Sequence, residues 1–208
     1  DVNGNTETMP INVDQPPSDI IIIEESVVNI LPCFGDNTGS INIDIADGLE
    51  DGEIIYTYSW TAVNPNGQVI TVPEDTDGNI TGLVAGTYTL IASDPNGCTS
   101  NAAIFNITEP EEIILTTTTS DYNGYEVSGA GLSNGSIEIN LSGGEAPYTY
   151  SWTAVNEEGA EIIINSDNQD LDNPGDLINL VAGLYTLTVT DNLGCIRTFD
   201  PIPLSSPP

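Results

Sequence analysis

Tyr56-Thr57-Tyr58-Ser59-Trp60-Thr61-Ala62-Val63-Asn64 recurs, with all nine residues identical, at Tyr148 to Asn156. Tyr56, Tyr58, Trp60 and Ala62 alternate with Thr57, Ser59 and Thr61, the period-2 signature of a half-buried strand. A strand that occurs twice implies a unit that occurs twice. Outward from it, Gly39-Ser40-Ile41-Asn42-Ile43 returns as Gly135-Ser136-Ile137-Glu138-Ile139. Leu83-Val84-Ala85-Gly86-Thr87-Tyr88-Thr89-Leu90 returns as Leu180-Val181-Ala182-Gly183-Leu184-Tyr185-Thr186-Leu187. Gly97-Cys98 matches Gly194-Cys195. The offset changes from 96 to 92 to 97 along the chain, so the copies differ by insertions between shared elements, as loops do on a common scaffold.

Alternation continues on both sides. Ile41, Ile43 and Ile45 alternate with Asn42 and Asp44, and Ile137, Ile139 and Leu141 repeat the pattern. Clusters of Gly, Pro, Asn and Asp punctuate the runs, and no segment has a helical period. Strands are expected near 20–30, 39–46, 54–63, 68–72, 79–82, 86–93 and 99–108. The second set falls near 112–119, 135–141, 147–155, 160–165, 176–180, 183–190 and 196–203. Seven strands in about 95 residues is the arithmetic of an immunoglobulin-like β-sandwich. The fold is therefore read as all-β: two tandem sandwich repeats, 17–110 and 111–208. Val13-Asp14-Gln15-Pro16 resembles the closing Ile107-Thr108-Glu109-Pro110, so residues 1–16 read as the last strand of a preceding repeat. Trp60 and Trp152 lie mid-strand and are expected in the cores. Tyr88 and Tyr185, each two residues after a Gly, resemble corners in which a hydroxyl bonds back to nearby backbone. The four aromatics are read as core rather than as a stacking platform for sugars.

Charge removes whole classes of function. The 208 residues hold 32 Asp and Glu, one basic residue (Arg197) and no His, for a net charge of −31. A nucleic-acid binder needs Lys or Arg to displace phosphate counterions, and anionic membranes repel such a chain. No apolar run approaches the roughly 18 residues of a membrane span. Without His or Lys there is no Ser-His-Asp triad, no Cys-His pair and no Schiff base; only carboxylate-pair glycoside hydrolysis stays open to an enzyme. The chain is read as non-enzymatic. Zero Lys also excludes Lys–Asn isopeptide crosslinks.

The landmarks occur twice in one order: Gly-Ser-Ile, Tyr-x-Tyr-x-Trp, Leu-x-Ala-Gly-x-Tyr, Asp-x-x-Gly-Cys and a closing Pro. In the second copy the Tyr-x-Tyr-x-Trp is preceded by Gly143-Gly144-Glu145-Ala146-Pro147. This pattern resembles the SprB-type repeat of Bacteroidetes cell-surface adhesins. The first copy departs from it, with Asp47 to Ile55 in place of the Gly-Gly-x-x-Pro turn. The resemblance implies a long filamentous surface protein, exported by the type IX route and used in gliding motility or attachment. On that reading the chain is shaft. Its partners are neighbouring repeats and, through other regions, surface polysaccharide or the gliding machinery. The alternative is a module whose own loops grip a glycan or a protein; exposed aromatics would favour it, and Tyr122 and Tyr125 are the candidates. The family pattern supplies no catalytic residues.

Two chemistries remain. Three cysteines is an odd count. The simplest pairing is Cys33 with Cys98, closing the first copy and leaving Cys195 free; the alternative is three reduced thiols behaving as small apolar residues. Acids concentrate in matching loops: Glu74, Asp75 and Asp77 in the first copy, Asp167, Asp170, Asp172 and Asp176 in the second, with a further group at Asp47, Glu50, Asp51 and Glu53. Such carboxylates are candidate Ca²⁺ ligands, since Ca²⁺ takes six to eight oxygens. Asp75-Thr76-Asp77-Gly78-Asn79 resembles a calcium loop, with its Gly two places early. The alternative is a solvated acidic surface that keeps the chain soluble and extended.

Overall fold

The computed structural model describes residues 20–28, 30–46, 55–73 and 77–208. The expected terminal strand at 1–16, Glu74, Asp75 and the acids of 47–54 lie outside them. Among the described residues the fold is all-β, with one short 3₁₀ turn at Ser166–Asn168. The chain divides into two compact units. The first is built on 20–28 and Thr38–Ile107; the second holds Ile30–Asn37 together with Thr108–Pro208. Compared with a division at residue 110, the segment 30–37 leaves the first repeat's sequence and packs in the second unit.

The first unit has β1 (Ile21–Val28), β2 (Gly39–Ala46), β3 (Thr57–Val63), β4 (Val69–Ile70), β5 (Ile80–Leu83), β6 (Gly86–Ser93) and β7 (Ala103–Ile107). Two antiparallel sheets form, ordered β1-β2-β5 and β4-β3-β6-β7. The second unit repeats them with β8 (Ile114–Thr119), β9 (Gly135–Ser142), β10 (Thr149–Val155), β11 (Glu161–Ile162), β12 (Leu177–Leu180) and β13 (Gly183–Thr190). Its sheets are ordered β12-β9-β8 and β11-β10-β13-β14, where the expected last strand is split into β14 (Ile196–Thr198) and β15 (Ile202–Leu204), both paired with β13. Pro201 cannot donate to a ladder, and it lies in this break.

Alternation does what the sequence implies. On β6, Gly86, Tyr88, Leu90 and Ala92 are buried; on β13, so are Gly183, Tyr185, Leu187 and Val189. The repeated strand keeps its register in both units, with Trp60 opposite Leu90 and Trp152 opposite Leu187. Ile41, Ile80, Leu83 and Leu90 fill the first core, and Ile137, Leu177, Leu180 and Leu187 fill the second. Each full burial of such a side chain contributes roughly 1.5–3 kcal/mol.

Candidate functional site

Each unit carries the same set of fasteners. The Tyr88 hydroxyl donates to the Val84 carbonyl at 2.9 Å, and the Tyr185 hydroxyl to the Val181 carbonyl at 2.8 Å. Burial of Tyr88 and Tyr185 raises both phenol pKa values against the lowering effect of those bonds; Tyr185 reaches about 12. Near the start of the fifth strand of each unit, a glycine with positive φ lies close to an aromatic ring. A Cβ on Gly78 (φ 84°) would lie 2.6 Å from Ile43 and 2.8 Å from Tyr58; one on Gly175 (φ 105°) would lie 2.7 Å from Ile139 and 2.9 Å from Tyr150. The residue after each glycine clips the strand beside it in the same sheet: Ile43 N donates to Asn79 Oδ1 at 2.9 Å, and Ile139 N donates to Asp176 Oδ1 at 2.7 Å.

That equivalence assigns Asp176 a job its charge does not explain, because an amide does the same job in the first unit. In the same loop Asp170 bonds through its carboxylate, while Asp167 and Asp172 donate their backbone N–H groups. Asp170 accepts from Asp172 N at 2.9 Å and from Asn173 Nδ2 at 3.2 Å; these bonds, led by the one from Asp172, lower its pKa. Asp167 lies in the 3₁₀ turn, where its N–H donates to Asn165 Oδ1. Asp77 caps its own turn by accepting from Asn79 N at 3.2 Å. Among the described residues no three Cys, Asp or Glu side chains gather as a metal-binding group. Asp170 and Asp77 thus act in turn chemistry, since Asp and Asn side chains bond backbone N–H groups two residues on.

The Asp-x-x-Gly-Cys element is a further turn of this kind. Asp94 Oδ1 accepts from Asn96 N and Cys98 N, and Asp191 Oδ1 from Leu193 N and Cys195 N, all at 2.8–2.9 Å. Asp191 Oδ2 also accepts from Glu145 N at 3.0 Å, reaching the Gly143–Pro147 turn. Burial pushes the Asp191 carboxyl up. The N–H donors of Glu145, Cys195, Leu193 and Gly194 outweigh it and hold the group below its ordinary 3.8.

The cysteines pair otherwise than expected. Cys33 is bonded to Cys195, with Cα atoms 5.6 Å apart, and Cys98 is free and exposed. The cause is where 30–37 packs. Ile30 forms a parallel bridge with Thr108, Leu31 N donates to Thr108 O at 2.8 Å, and the Leu31 side chain is buried. Gly35 N donates to Glu109 Oε2 at 2.6 Å. Cys33 thereby faces the Cys195 hairpin of its own unit. Sequence equivalence of Cys98 and Cys195 marks both as candidates and does not choose between them; the choice lies in the tertiary placement of an eight-residue segment.

Two clefts accompany these features in the second unit. One, of about 430 Å³, runs between Tyr150, Ser151 and Trp152 and the loop bearing Gln169, Asp170, Leu171 and Pro174. Burial, then the nearby Tyr148 and Asp176, raises the Tyr150 phenol. Sequence reasoning missed this cleft because it put Trp152 wholly in the core; the ring is half-buried, with its indole N–H donating to Gly175 O at 2.9 Å. The other cleft, of about 350 Å³, lies beside the disulfide and Arg197. Arg197 pairs with Glu112 at 2.7 Å on a half-exposed surface, a contact worth at most about 1 kcal/mol. Tyr122 and Tyr125 form a turn: Tyr122 N donates to Tyr125 O, Gly124 N to Asp121, and the Tyr122 hydroxyl to Asn134 O. Both remain over one-third exposed. Among the described residues no helix is long and apolar enough to cross a membrane.

Residues 126–156, which run through β9 and the repeated strand β10, match the family model of the SprB repeat. No curated protein matches the chain. Among solved structures it is similar to the C-terminal 282-residue fragment of intimin in complex with the intimin-binding domain of its translocated receptor, at 13% identity over 90% of this chain and 64% of that one, TM-score 0.40. It is also similar to extracellular domains 3–5 of Drosophila OTK, at 12% identity over 91% and 62%, TM-score 0.35. A third is the three N-terminal domains of the outer capsid protein Hoc of bacteriophage RB49, at 13% identity over 90% and 58%, TM-score 0.31. The chain spans less than two thirds of each.

Proposed function

We propose, from the SprB repeat at residues 126–156, that this chain is a shaft segment of a long filamentous bacterial cell-surface adhesin acting in gliding motility or attachment. It bears load and sets reach, with neighbouring repeats as its immediate partners. Contact with surface polysaccharide or the gliding machinery falls to other regions of the filament, which is exported by the type IX route and held at the outer membrane. The observation that carries the reading is the Cys33–Cys195 bond. It encloses a sequence separation of 162 residues, so a pull on the two ends cannot draw out the residues between the two cysteines while the bond holds. A structural element under tension gains from such a closure. The loop-closure model assigns a bond of this span about 5 kcal/mol against unfolding. The acids then serve solvation and mutual repulsion, screened beyond about 8 Å at physiological salt.

The cleft beneath Tyr150 and Trp152 favours a second reading, in which the loops hold a glycan directly. Aromatic faces with neighbouring amide and carboxylate groups suit a sugar ring. Deletion of one repeat from the full-length adhesin separates the two. A shaft predicts a shorter filament by electron microscopy with unchanged attachment chemistry. Attachment lost with the repeat, together with binding of the isolated chain to a glycan, overturns the shaft reading.

A further inference from the structure

Cys98 and Cys195 stand at the same station. Each ends an Asp-x-x-Gly-Cys turn, with its N–H bonded at 2.8 Å to the turn's Asp and its carbonyl accepting from that Asp's N–H at 3.0 Å. One of the two is bonded to a segment that comes from far upstream in sequence; the other is exposed and free. One apolar position recurs beside them. In the second unit Ile113, Gly194 and Ile196 line a cleft together with Cys33, Phe34 and Asp36 of the segment. In the first unit a groove of about 250 Å³, lined by Ile20, Ile21, Ile22, Asn101, Ala102 and Ala103, lies a few residues further along the chain from Cys98. Ile20 and Ile113 are both buried at these places, 7% and 6% exposed.

The cysteine count fits a directional scheme. Cys195 and Cys98 are acceptors, Cys33 is a donor, and the second copy has Gly129 where the first has Cys33. We propose that Cys98 accepts a second segment of the Ile30–Asn37 type, carried by another repeat of this kind, and is joined to it by a disulfide as Cys195 is joined to Cys33. Two thiols become one S–S bond, losing two protons and two electrons; the disulfide of a dithiol oxidase takes up the electrons and becomes two thiols. The bond would make each repeat covalently dependent on a neighbour. The inference rests on the equivalence of the two units and not on the shaft reading.

The test uses the intact chain with Cys98 carried as its mixed disulfide with glutathione. A synthetic peptide of residues 29–37 (Asn-Ile-Leu-Pro-Cys-Phe-Gly-Asp-Asn) is added, alongside a scrambled peptide of the same composition. The peptide thiolate attacks the mixed disulfide, a new S–S bond forms on Cys98, and glutathione leaves as its thiolate and takes a proton from solvent. Mass spectrometry after acid quenching reads the equilibrium. The expected result is a preference of at least about tenfold for the native peptide over the scrambled one, reduced in a peptide carrying L31D and abolished in the C98S chain, with Cys33–Cys195 intact. Equal exchange by the native and scrambled peptides, or capture of the native peptide on Cys195, overturns the proposal. Neither result bears on filament length, so this inference and the shaft reading fail separately.

Discussion

The nine residues Tyr56–Asn64 and Tyr148–Asn156 are the same sequence in the same register, yet their tryptophans differ. Trp152 Nε1 donates to Gly175 O at 2.9 Å, whereas Trp60 Nε1 is buried with no hydrogen-bond partner among the described residues. A buried donor left unpaired costs about 1–3 kcal/mol. Trp60 takes a tilted contact with Phe105 instead, ring centroids 5.7 Å apart. The second unit also has the Gly143–Pro147 turn, where Gly144 N donates to Glu111 O, Glu145 N to Asp191 and the Tyr148 hydroxyl to Gly143 O. A strand's sequence therefore fixes its face and register, while the loops decide how well its polar atoms are satisfied. The second unit is expected to be the more stable.

The largest effect should come from the disulfide. Cys195→Ser removes up to about 5 kcal/mol and brings the second unit's thermal midpoint down towards the first; Cys98→Ser leaves both unchanged. Calorimetry of the oxidised chains reads both. Gly175→Ala and Gly78→Ala should each cost about 2 kcal/mol or more, from positive φ and from contact with the aromatic ring, in chemical denaturation. Equal losses would show that the chassis is shared despite the unequal loops.

Next, Trp152→Phe should cost about 1–3 kcal/mol more than Trp60→Phe, because only the first removes a made hydrogen bond. Both lose similar ring area, so the difference isolates the bond. A smaller effect is read by pH. A Tyr185 phenol at about 12 in the folded chain lies above the unfolded value near 10. The folded state keeps a proton that the unfolded state loses, so this contribution is whole below pH 10 and is lost as pH rises towards 12. Tyr185→Phe should flatten that limb. Asp191 acts with the opposite sign: its lowered pKa stabilises above its ordinary value and the benefit is lost on acidification. The smallest effect belongs to Asp176→Asn, within about 0.5 kcal/mol of neutral, because Asn79 already holds the equivalent strand in the first unit. The thermal midpoint in millimolar Ca²⁺ against EDTA, with a Mg²⁺ control, should not shift in either chain; a Ca²⁺-specific rise would restore the acids as ligands.

Much of this was legible in sequence because alternation and repetition are local properties. β2 and β6 begin and end where the Ile and Tyr-Leu alternations do, and the Gly-x-Tyr spacing announced both hydroxyl bonds. The split at Pro201 followed a residue that was visible but not weighed. In the acidic loops Asp serves both for cations and for capping N–H groups, and spacing alone does not separate the two. The disulfide was illegible because it depends on which unit buries Leu31, a contact between distant parts of the chain. The cleft beside Trp152 depended on how far a loop covers a ring, which no period records.

The most direct test of a load-bearing closure is end-to-end stretching of single molecules to full extension, before and after reduction. At about 3.4 Å per extended residue, the loop closed by Cys33 and Cys195 withholds about 55 nm. The account predicts that this length appears only when reductant is present. Full extension under oxidising conditions, or the same extension in both, would contradict it.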